Sequence, residues 1–225
     1  MNFYILTNII GIIGVCATLI IALAMEKFTF KKISVKHLTV ISTFGACSVV
    51  LTNILGYNIP ILGNIRLAFG DWIIFFLGML FGPICGVMSG ISIDVVGSVI
   101  PNSFGYHAGY MFNKSVLGLL GALVFIFKKE KHILLKVILL YSIGYVLQSL
   151  LLNQIWMMSW KGEAAWVDLI GKLIKLPITL PIYISVTYSS FRIIKPLLNK
   201  WTMENVWCFR NKNTATSSYL TSDKL

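Results

Sequence analysis

The chain has 225 residues, 57% of them hydrophobic, with 19 Lys and Arg against 8 Asp and Glu and a net charge of +11. A mean hydropathy of +0.82 excludes a water-soluble domain, because a chain of this size could not cover so much apolar surface without a membrane. The positive balance does not indicate nucleic acid, since the lysines fall in short runs beside apolar stretches, where they meet anionic lipid headgroups.

A membrane-crossing helix needs about 20 apolar residues. On that length the spans fall at 3–25, 37–56, a short pair at 66–81 and 83–100, then 107–127, 134–154 and 167–192. Basic runs follow the first span (Lys27, Lys31, Lys32, Lys36), the fifth (Lys128, Lys129, Lys131, Lys136) and the seventh (Lys195, Lys200, Arg210). Loops rich in Lys and Arg stay in the cytoplasm, so the protein reads as multi-pass in the cell membrane, with an external N-terminus and a cytoplasmic C-terminus. Loops near 57–65, 101–106 and 155–166 are then external. The first span has no positive residues before it and no small-residue cleavage site after it, which predicts an appended helix rather than a cleaved signal. Phe81-Gly82-Pro83 predicts a tight reversal between the short pair, and Gly78, Gly82, Gly86 and Gly90 give a flat ridge for helix packing.

Beyond Lys200 the chain is rich in Thr, Ser and Asn, with isolated Trp201, Trp207 and Phe209, a composition that reads as a mobile tail. The expected organisation is an all-α membrane protein in three parts. Residues 1–36 form an extra transmembrane helix and basic linker, 37–200 a six-helix membrane domain, and 201–225 a polar cytoplasmic tail.

Ionisable residues inside spans are expensive, and each is a functional candidate. With a rise of 1.5 Å per residue, Asp94 lies about 9 Å below the outer surface, Lys114 about 10 Å, Lys172 about 8 Å and Lys175 about 12 Å. Arg66, Asp71, Asn113, Gln148 and Asn153 join the same layer. Polar groups at one height on several helices predict an outward-open cup with excess positive charge, suited to an anionic ligand. Aromatic residues near its mouth, among them Trp72, Tyr110, Trp156 and Trp160, could stack a flat ring. The competing reading pairs Asp94 with Lys114 and Asp168 with Lys172 merely to hold helices together.

Catalytic signatures are missing. Cys16, Cys47, Cys85 and Cys208 form no C-x-x-C pair, and His37, His107 and His132 have no metal-ligand spacing, so neither a metal site nor a cofactor is expected. Gly109 to Ser115 only echoes a phosphate loop, and no G-x-S-x-G elbow occurs. The expected protein is not an enzyme and has no catalytic residue.

The run Ile65 to Ile100, reading IRLAFGDWIIFFLGMLFGPICGVMSGISIDVVGSVI, with LLNQIWMM at 151–158 and LIGKLIKLPITLPI at 169–182, carries a further signal. It resembles the substrate-binding S component of energy-coupling-factor (ECF) vitamin transporters, nearest the folate group, over about 37–195. The resemblance implies a six-helix core that captures a folate-like molecule from outside. It also implies docking on an ECF transmembrane coupling subunit driven by two ATPase subunits. It assigns binding to Arg66, Asp94, Asn153, Trp156, Lys172 and Lys175, to which the depth argument adds Lys114. It assigns partner docking to the small residues Ser42 and Ala46. Lys172 stands where that group usually has arginine, which removes a bidentate fork toward carboxylate. The alternatives are an S component for another anionic or planar vitamin or precursor, or a stand-alone secondary carrier, although no internal repeat of the carrier type is visible.

Overall fold

The computed structural model describes residues 2–27, 34–59, 65–67, 69–100, 106–126, 132–200 and 206–209. Helix α1 (Phe3–Met25) is followed by α2 (Val35–Val49), which widens into a π-helical segment at Val50–Ile54. A two-stranded antiparallel hairpin comes next, β1 (Tyr57–Ile59) with β2 (Ile65–Leu67), in which Asn58 is opposite Arg66. Then come α3 (Asp71–Phe81), α4 (Pro83–Val99), α5 (Ala108–Leu123) and α6 (Ile133–Val146). A second π-helical segment, Leu147–Leu152, leads into α7 (Asn153–Lys161), and a short 3-10 turn, Gly162–Ala164, leads into the long α8 (Ala165–Lys200).

The expected all-helical bundle with a leading extra helix is what forms, and the small hairpin is its one addition among the described residues. Residues 3–25, 35–54 and 133–200 are long and apolar enough to cross a membrane, the last range comprising α6, α7 and α8. The shorter α3 and α4 are the expected short pair. Their reversal is built as the sequence requires: Gly82 takes φ +100°, a region L side chains avoid, and Pro83 occupies the first turn of α4, where its missing N–H does no harm.

Helix α3 is the axis of the bundle. Every residue from Ile73 to Phe81 is buried, packed among α2, α4, α5 and α8. Its Phe75 ring meets Tyr141 of α6 edge-on, with centroids 5.0 Å apart. The outer faces of α1, α6 and α8 carry exposed Ile and Leu, the surface that a lipid bilayer covers.

Three expectations change. Arg66 belongs to β2 and not to the third span, which starts only at Asp71; Gly70 breaks the chain there, pressed against Ser48 of α2. The loop expected at 155–166 shrinks to the turn around Gly162, which takes φ +60°, because 153–161 continue as helix. The tail is not wholly loose: Val206, Trp207, Cys208 and Phe209 are buried, and Trp207 Nε1 donates to the Ala122 carbonyl at 3.0 Å. The remainder of 201–225 lies outside the described residues.

Candidate ligand-binding site

Close packing of α4 on α5 builds the first part of the site. A Cβ on Gly86 would stand 2.5 Å from the Gly118 carbonyl oxygen, so only glycine permits this approach. Two turns farther along α4, the same closeness brings Asp94 to Lys114, with Oδ1 and Nζ 3.0 Å apart. Asp94 is 7% exposed. A lone carboxylate at that burial would be costly, and the lysine makes the pair nearly neutral to its surroundings. The pairing expected from sequence as a helix clamp therefore forms within the polar layer itself.

Helix α5 also holds the next group. Asn113 Oδ1 accepts the Trp156 indole N–H at 3.0 Å, and its backbone carbonyl accepts from Gln148 Nε2. Gln148 lies in the π-helical segment before α7. One extra residue per turn there advances the phase of the next helix by roughly 100°, which aims α7 at α5. Trp156 is almost fully buried on Gly109, where a side chain would collide with the indole. The sequence predicts a wet mouth for this tryptophan; the structure makes it an anchor. Asn153 begins α7, and its buried Oδ1 makes no hydrogen bond among the described residues.

The corner between α7 and α8 collects further charges. Asp168 does not pair directly with Lys172, as the spacing of four suggests, but with Lys161 at 2.7 Å. The turn at Gly162 folds Lys161 back over the first turn of α8, where the helix dipole also favours a carboxylate. Lys172 is 7% exposed, and its ammonium donates to the Met157 thioether at 3.1 Å. Sulfur is a weak acceptor without charge, so it leaves most of the donor capacity of this cation unmet. One turn deeper on α8 lies Lys175, whose backbone carbonyl accepts from Thr179 Oγ1 at 3.0 Å. Tyr145 and Thr179 share a hydrogen bond of 2.9 Å beside it.

Asp94, Lys114, Asn153, Trp156, Lys172 and Lys175 thus belong to connected walls on α4, α5, α7 and α8. Lys114, Lys161, Lys172 and Lys175 exceed Asp71, Asp94 and Asp168 by one positive charge. Arg66 lies in β2, whose backbone runs beside α8; its side chain is outside the described part. Ser42 and Ala46 lie one turn apart, exposed on α2 and away from this layer.

Sequence reasoning misses Lys161, Met157 and the central place of His107. Lys161 falls in an expected loop, although its seven-residue separation from Asp168 across a glycine is the spacing a helical corner gives. His107 reads only as an external histidine, although it directly precedes a helix start.

Residues 36–198 match the family model "ECF transporter, substrate-specific component". The folate transporter FolT of Clostridium novyi (strain NT) is 30% identical over 151 residues, which are 66% of this chain and 84% of that protein. A solved structure described as FolT bound with folic acid superposes with a TM-score of 0.59 at 25% identity, over 69% of this chain and 92% of that one.

Proposed function

Given that the chain belongs to the family of ECF transporter substrate-specific components, we propose that it captures folate, or a closely related pterin, for an ATP-driven importer. Capture is from the external side, with the α1 N-terminus outside and the C-terminus in the cytoplasm. Release depends on an ECF coupling subunit with two ATPase subunits, for which Ser42 and Ala46 on α2 offer a small-residue docking strip. The relatives that support the vitamin are the Clostridium novyi folate transporter and the FolT structure holding folic acid.

The observation that carries the reading is Lys172, a buried cation whose contact is a thioether. A ligand carboxylate supplies the charged acceptor it lacks, and such charge-assisted bonds contribute about 1.5–3 kcal/mol each. Lys175 and Arg66 extend that anion-binding side. Asn153, with its unengaged oxygen, suits a pterin N–H donor, and the Asp94–Lys114 pair offers a donor and an acceptor side by side, while the buried Trp156 anchors Asn113 in the same wall.

Folic acid titrated into the purified protein, followed by calorimetry, tests this. Wild type is expected to bind, Lys172→Arg to retain binding, and Lys172→Glu to lose at least about tenfold, equivalent to about 1.4 kcal/mol. Equal affinity in Lys172→Glu, or a co-purified small molecule unrelated to pterins with no response to folic acid, overturns the assignment.

A further inference from the structure

Helix α1 precedes the residues matched to the family, which begin at 36, yet its first turns are bonded into the site. Gly11 crosses the start of α5 backbone to backbone: a Cβ there would stand 2.6 Å from both Ala108 C and Gly109 N. Around this crossing, Ala108 N–H donates to Asn8 Oδ1 at 3.0 Å, and Tyr4 OH donates to the Tyr106 carbonyl at 3.1 Å. The Ala108 amide is one of the first N–H groups of α5 and has no partner within its own helix. Helix α1 supplies it.

His107 sits at the centre of these contacts and is 3% exposed. Its Nδ1 accepts the Gly109 N–H at 3.0 Å and so caps α5. A nitrogen that accepts carries no proton, so the neutral ring bears its proton on Nε2. That N–H points between Thr7 Oγ1 at 3.2 Å and Ser159 Oγ at 3.4 Å. Both hydroxyls are free to accept, because each donates its own proton elsewhere. Thr7 donates to the carbonyls of Phe3 and Tyr4, and Ser159 donates to the carbonyl of Trp156 at 2.7 Å. The ring also meets Tyr4 edge-on at 5.3 Å and lies 5.7 Å from Trp156. One imidazole therefore joins α1, α5 and α7. Asn113 and Lys114 lie farther along α5, and Trp156 lies one turn before Ser159 on α7.

We propose that Thr7 and His107 form a latch through which α1 positions Asn113, Lys114 and Trp156, so that the added N-terminal helix sets the ligand affinity of this chain. The inference rests on the folate reading for its ligand. His107 acts through its neighbours and is a positioning residue.

The test uses the full chain in detergent. Folic acid affinity and ligand-free thermal unfolding are measured for wild type, Thr7→Val, Thr7→Ser and a lipid-side control on α1, Ile13→Ala. Thr7→Val keeps the shape and removes the acceptor; it is expected to weaken folic acid about tenfold with little change in Tm. Thr7→Ser should restore affinity, and Ile13→Ala should leave it as in wild type. Hydrogen exchange without ligand gives a second readout, with Thr7→Val expected to speed exchange at 108–114 and 153–159 and to leave α3 unchanged. Wild-type affinity in Thr7→Val, failure of serine to rescue, or unchanged exchange in those two segments overturns the latch. If wild type itself ignores folic acid, the folate reading falls, and the exchange experiment alone decides the latch.

Discussion

His107 shows how one side chain ties protonation to structure. Its Nδ1 accepts the Gly109 N–H while its Nε2–H faces Thr7 and Ser159, an arrangement that only the neutral ring can make. Protonation places a hydrogen on Nδ1, where the Gly109 N–H already points. His107→Asn keeps an acceptor at the helix cap, whereas His107→Ala removes it, a change that costs about 0.5–2 kcal/mol. Thermal unfolding should give a lower Tm for His107→Ala than for His107→Asn. Equal Tm values would show that the cap contributes nothing.

At the scale of elements, α4 and α5 act as one unit because glycines let their backbones touch. Gly86→Leu forces them apart, an overpacking that costs about 1–3 kcal/mol and separates Asp94 from Lys114. A fall in Tm together with lost folic acid binding is expected, and unaltered values of both would refute the arrangement. Much of this is legible in the sequence, since the glycine spacing, the Phe81-Gly82-Pro83 reversal and apolar length are local signals. The layer holding Asp94, Lys114 and Lys172 is legible as well, because charge inside an apolar run is conspicuous. The phase of the backbone is not. The π-helical segments at Val50–Ile54 and Leu147–Leu152 leave no mark in periodicity, yet the second one turns Trp156 from the mouth to an anchor on Asn113. The exchange of Lys172 for Lys161 as the partner of Asp168 depends likewise on a corner that only the folded chain makes.

For the whole molecule, the proposed binding layer and the proposed docking strip are separate surfaces. Ser42→Leu enlarges an exposed small residue on α2 and touches none of the polar walls. Folic acid binding to the isolated protein should stay within about twofold, whereas uptake of labelled folate by cells that also carry an ECF module should fall at least about tenfold, a difference of about 1.4 kcal/mol. Normal uptake would move the docking surface elsewhere.

The buried segment Val206–Phe209 has a consequence for traffic. Trp207 is held to Ala122 beside the α3–α4 reversal, and between it and the charged layer the axis is filled by Phe75, Phe76, Leu77, Met79 and Leu80. Between the charged layer and Trp207 the described interior is thus packed with apolar side chains, and passage of a charged solute along this axis requires those side chains to move aside.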